Sequence, residues 1–242
     1  MCTVSFVPAN NSYFITSNRD EKIIRKQAIP PMQYYVKDQT LVYPKDADGG
    51  GSWIAMNEFG NAAVLLNGAF RKHVSLPPYE LSRGLVFTDI ISSHMPARSF
   101  LRLDLIKAEP FTVIILEKDC LYECRWNGSQ KHCRQLPESR SYIWSSVTLY
   151  DAQMIQKREQ WFAEFLNNNL HPSQEEILHF HRFAGKEDTR NSLCMNRDDQ
   201  MLTVSITAME LTPNKGSMLY NDLKSDELYK LELAFISEPT LS

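Results

Sequence analysis

The 242-residue chain has no apolar run approaching the ~18–20 residues that a membrane-spanning helix needs, so no membrane partner is expected. It also lacks an excess of either charge. Its 26 Lys and Arg against 29 Asp and Glu leave a net charge of −3, so no global field recruits nucleic acid or anionic lipid. Glycine is scarce, with nine residues beside twelve prolines, which excludes collagen-like and low-complexity architecture. The opening Met1-Cys2-Thr3-Val4-Ser5-Phe6 has neither the basic nor the apolar segment of a secretory signal. No repeat, linker or long charge block divides the sequence, and one domain over 1–242 is expected.

What is present is ordinary globular material, 43% hydrophobic and 23% charged, which disfavours disorder. The five cysteines are an odd count, and without a signal they read as reduced thiols in a cytoplasmic protein. Residues 2–8 and 13–17 are β-favouring and flank the turn cluster Ala9-Asn10-Asn11-Ser12, which predicts an N-terminal hairpin. Residues 22–48 read as irregular. Two further hairpins are predicted, one joining 52–56 to 61–66 and one joining 111–116 to 121–126. Helical spacing appears over 80–94, 97–107, 151–166 and 173–183, with Asp151 as a cap. Short strands are expected at 141–146, 202–209 and 228–236. Hairpins first, helices in the middle and strands again at the end predict layered α+β with antiparallel sheets.

Cys2 carries the chemistry to follow. Removal of Met1, favoured by the small side chain after it, would leave a thiol and a free α-amine on one residue. With an amine pKa near ~7.7–8.0 and a thiol near ~8.5, the amine serves as a local base around neutrality. The competing reading is a buried thiol at the start of a strand. Hairpin pairing brings the end of the second strand, Asn18-Arg19-Asp20-Glu21, beside Cys2. Alternation sets Asn18 and Asp20 on one face and Arg19 on the other.

Met-Cys at the start, the Asn18-Arg19-Asp20-Glu21 tetrad, Gly50-Gly51-Ser52-Trp53-Ile54-Ala55 and Asn61-Ala62-Ala63-Val64-Leu65-Leu66-Asn67, in that order, resemble the NRDE family, to which transport and Golgi organisation protein 2 belongs. The stretch from Tyr142 to Ser146 resembles a further segment, with Ser146 where many members place an Asn. That family is similar to the N-terminal nucleophile (Ntn) hydrolases, so the resemblance implies a four-layer αββα sandwich. It also implies Cys2 as nucleophile, Asp20 near its amine, Arg19 as a neighbouring charge and Asn67 as an oxyanion donor. Asn67 followed by Gly68 reads equally as a turn. Asn18, Trp53, Ser146 and Arg197 are the expected substrate-binding residues.

The implied activity is hydrolysis of a linear amide of a small molecule, with no cofactor and no metal. The alternative is a non-catalytic carrier, since family members are linked to Golgi organisation and haem trafficking. Haem or another hydrophobic ligand is then expected, although no CxxCH site is present. Cys120, Cys124, His132 and Cys133 have zinc-binding chemistry but poor spacing, because residues 120 and 124 of a strand lie about 13 Å apart. His179 and His181 diverge on a helix. The segment from Asp46 to Gly51 lacks a full calcium-loop ligand set and suits a pocket rim.

Overall fold

The computed structural model describes residues 3–9, 11–75 and 79–236. Strands β1 (Thr3–Ala9) and β2 (Ser12–Lys22) form the first hairpin. They are followed by β3 (Ile29–Val36), β4 (Gln39–Lys45), β5 (Ile54–Asn57) and β6 (Ala62–Asn67). Helices α1 (Arg83–Ile91) and α2 (Pro96–Arg102) lead to β7 (Phe111–Glu117), β8 (Cys120–Trp126), β9 (Lys131–Leu136) and β10 (Tyr142–Ser145). The chain continues through α3 (Ala152–Asn168), α4 (Gln174–Phe183) and β11 (Asn196–Arg197). It ends in β12 (Met201–Leu211), β13 (Lys215–Asp222) and β14 (Glu227–Ala234).

The strands form two antiparallel sheets. One has the order β10-β1-β2-β12-β13-β14 with β11 beside β12, and the other runs β3 to β9 in chain order. Between the sheets, Val4, Phe6, Ile15, Met209 and Tyr220 of the first pack with Ile54, Met56 and Val64 of the second in one buried core. Helices α1 and α2 cover the outer face of the second sheet, and α3 and α4 cover the first. A smaller core of Val7, Phe14, Phe162, Ile177, Phe180 and Leu193 seals that outer layer. The architecture is therefore the αββα sandwich expected. β7 is buried at every position because both its faces are covered, which explains its apolar run at 113–116.

Caps and turns follow local chemistry. Asp151 accepts from the Met154 N–H at 2.8 Å and starts α3. Ser173 and Glu176 form a reciprocal capping box at α4. Lys118 and Asp119, both with positive φ, make the two-residue turn between β7 and β8.

Four strands depart from the sequence expectation. The segment read as irregular contains β3 and β4. β3 is an edge strand, and Pro30-Pro31 shifts its register between Ile29 and Met32, which hides its alternation. β9 is a polar edge strand. β13 buries Gly216, Met218, Tyr220 and Asp222 in alternation, a mixture too polar to read as a strand. The first two helices are also shorter than expected, with α1 ending at Ile91 and α2 at Arg102.

The glycine run after β4 serves a close approach. A Cβ on Gly51 would lie 2.2 Å from the backbone carbon of Gly84 in α1, where Ser52 N–H donates to Gly84 O. Gly51→Ala is expected to push the loop off the helix and cost about 1–3 kcal/mol, measurable by urea denaturation.

Candidate active site

At one end of the sandwich, a cavity of about 440 Å³ opens between the sheets. Arg19 from β2, Trp53 before β5 and Asn67 at the end of β6 all line it, so three residues far apart in sequence share one wall. Hairpin alternation decides which member of the tetrad enters. Ile15 points into the inter-sheet core, and Arg19, four residues on, shares its face. The Arg19 guanidinium lies 4.5 Å over the Trp53 ring and bonds Asp46 at 2.6 Å. Asp46 also takes Arg25 at 2.9 Å. Burial alone would raise the Asp46 carboxyl, but the Arg25 and Gly49 hydrogen bonds and the charges of Arg19 and Arg25 outweigh it and hold it at about 2.

Asn67 combines both sequence readings. It closes β6, and Gly68, with φ of 81°, turns the chain immediately after it. Its backbone is fixed, because Ser146 Oγ donates to Asn67 O at 2.8 Å. Its side-chain amide is half-buried in the cavity wall and makes no hydrogen bond to another described residue. Ser146 is buried and also shares a 2.8 Å bond with Thr148. The rest of the wall brings Glu21, Arg25, Tyr79, Glu80, Arg83 and Glu109 into the cavity. Arg83 bonds Glu109 at 3.0 Å, as does His73. Of these, sequence reasoning named only Glu21, in the tetrad; Arg25 lies in the segment read as irregular, Tyr79, Glu80 and Glu109 lie in connections without a motif, and Arg83 opens α1 without one.

Asn18 and Asp20 occupy the opposite face of β2, towards α3 and α4. Asp20 accepts from Tyr150 Oη at 2.8 Å and from Thr203 Oγ1 at 2.5 Å. The β2–β12 register shifts between Thr203 and Ser205, the partners of Asp20 and Arg19, so a bulge lies where the two charged side chains part. Asn18 donates to His181 O at 3.0 Å and Leu193 O at 2.6 Å. Its Oδ1 then accepts from His181 Nδ1 at 2.6 Å, which leaves His181 Nε2 to accept from Ser5 Oγ at 2.7 Å.

Arg158, fully buried on α3, completes this layer. It lies 3.5 Å over the Tyr150 ring and donates to Thr3 Oγ1, to Ser192 O at 2.6 Å and to Asn191 O at 2.9 Å. Arg158 and His181 occupy helix positions of apolar spacing, and a polar residue in such a stripe is the signal that marks them. Arg197 is placed apart from the inter-sheet cavity. It lies 5.3 Å from the Tyr150 ring centre beside α3 and lines a separate cavity of about 320 Å³. Cys2 lies outside the described residues. Its neighbour Thr3 is opposite Asn18 and Ser145, the residues that precede Arg19 and Ser146.

The family model described as Transport and Golgi organisation 2 matches residues 1–218. The chain belongs to the Transport and Golgi organisation 2 family. No curated protein sequence gives a significant match. Among solved structures, this family member is similar to the N-acylethanolamine-hydrolyzing acid amidase ortholog of Caenorhabditis elegans. The TM-score is 0.60 at 12% identity, covering 86% of this chain and 92% of that one. It is also similar to an arginine-to-leucine variant of the conjugated bile acid hydrolase of Clostridium perfringens, with a TM-score of 0.58 at 12% identity over 100% and 98% of the two chains. A variant of that hydrolase with its second-position cysteine changed to alanine gives 0.54 at 10% identity, with the same coverage. These likenesses establish the Ntn-hydrolase fold for this member of the family. Among the described residues, no helix is long and apolar enough to cross a membrane.

Proposed function

We propose that this chain is a cytoplasmic N-terminal-cysteine amidohydrolase acting on a linear amide of a small molecule. The observation that carries the reading is the half-buried Asn67 amide, held by its backbone in the wall of the inter-sheet cavity beside Arg19 and Trp53. Cys2, one peptide bond from Thr3, attacks the amide carbon through Sγ, and its α-amine takes the thiol proton. The Asn67 amide donates to the developing oxyanion. Collapse expels the amine, which receives the proton, and water then releases the acyl group from the thioester.

Arg19 is fixed against Trp53 and Asp46 as a wall charge, and Asp20 orders the neighbouring strand end through Tyr150 and Thr203. Three guanidiniums and four carboxylates line the cavity, which supports a small polar substrate. The likeness to an acid amidase and to a conjugated bile acid hydrolase of the same fold supports the reaction class.

The test is amine release from a panel of small linear amides and acyl-homoserines. Asn67→Ala is expected to lower kcat about 10²–10³-fold with little change in KM. An unchanged kcat would remove Asn67 from the mechanism. No hydrolysis across the panel, together with saturable stoichiometric haem binding, would favour the carrier reading.

A further inference from the structure

We propose that Cys124 and Cys133 are a redox site that closes to a reversible intrachain disulfide by exchange with a small-molecule disulfide of the glutathione class. The two residues are directly opposite across β8 and β9, and their Sγ atoms are 2.8 Å apart. The ladder sets the type of rung. Asn127 N–H donates to Gln130 O across the hairpin turn, so 127 and 130 are a hydrogen-bonded pair. Alternation along the ladder makes 126 with 131 non-bonded, 125 with 132 bonded and 124 with 133 non-bonded. Non-bonded pairs hold their Cα atoms about 4.5 Å apart, inside the ~4.4–6.8 Å that a disulfide spans. Closure therefore needs no movement of the strands. The spacing argument that separates Cys120 from Cys124 along one strand does not apply across two.

Burial divides the roles. Cys124 is fully buried, whereas Cys133 is only partly buried against the same core. The hydrogen bond from Cys124 pulls the Cys133 thiol down against its own burial, and the same bond with burial pushes Cys124 up. Cys133 thiolate attacks one sulfur of the small disulfide, forming a mixed disulfide and expelling one thiolate. Cys124 then gives up its proton and attacks Cys133 Sγ, expelling the second thiolate. The protein loses two electrons and two protons, and the reagent becomes two thiols. One rung away, Arg125 donates to Ala69 O and lies 5.0 Å over the Phe70 ring, while His132 meets that ring edge-on. The closed form thus clips the hairpin that braces the segment after Asn67 and Gly68.

The test equilibrates the full chain in reduced and oxidised glutathione over a range of ratios, followed by alkylation and peptide mass mapping. Under oxidising ratios two fewer thiols should alkylate, with fragmentation placing the link on Cys124 rather than Cys120, and reduction should restore both. Cys124→Ser should trap a lasting glutathione adduct on Cys133. Cys133→Ser should lower adduct formation at Cys124 at least tenfold. Alkylation of both thiols at every ratio, or a link through Cys120, would overturn the proposal. The wild-type map decides the matter even where a variant fails to fold.

Discussion

Cys2→Ala is expected to lower amide turnover by at least about 10⁴-fold while leaving the fold intact, because it removes the nucleophile on which the proposed sequence of steps depends. The residue is joined to Thr3, which is buried between β2 and β10 and held by Arg158. Urea denaturation should therefore show a stability within about 1 kcal/mol of wild type. The Asn67 and Cys2 substitutions should also be non-additive. Once the thiol is gone there is no tetrahedral intermediate for Asn67 to stabilise, and the double variant should match Cys2→Ala alone. Additive losses would mean that the two side chains act in separate processes.

The second large effect is on stability against pH. His181 is fully buried, and burial together with the Arg158 charge pushes its pKa down from 6.5 to about 3. The unfolded chain takes up the proton near pH 6.5 and the folded chain does not until about 3. Between those values the unfolded state binds more protons, so stability rises with pH and falls on acidification. The slope is about 1.4 kcal/mol per pH unit, or about 3 kcal/mol lost between pH 7 and pH 4. Asp46 works in a lower window. Its depressed pKa contributes stability present above about 4 and lost as pH falls through about 2. Denaturation at pH 7, 6, 5 and 4 therefore reads His181 above the window of Asp46, and a variant separates it from the carboxyls, among them Glu117, whose pKa burial raises. His181→Gln should flatten the profile in that range, and a slope unchanged in the variant would assign it elsewhere.

The central strands were legible in the sequence because burial on both faces turns them into plain apolar runs, as in β6 and β7. The helix starts at Asp151 and Ser173 were legible because capping depends on one side chain and its near neighbours. Edge strands were not. Pro30-Pro31 breaks the pattern of β3, and β9 carries polar residues that only its partner strand makes sense of.

The same distinction governs the site. Period-two alternation separates Arg19 from Asp20 without a structure, and the structure places them on opposite faces. The cavity itself depends on which strand ends meet, and nothing local to Tyr79, Arg83 or Glu109 announces that they line it. Cys124 and Cys133 are likewise joined by register alone. Arg197, which echoes the tetrad in sequence, is placed beside α3 because β11 folds back on β12 through Asp198 and Asp199, both with positive φ.

Mass analysis of the chain quenched during turnover of an amide bears most directly on Cys2 as the nucleophile. The account predicts a chain that has lost Met1 and carries the acyl group as a thioester on Cys2, with the adduct absent from Cys2→Ala. Amide hydrolysis by a chain that retains Met1, with Cys2 unmodified throughout, would contradict it.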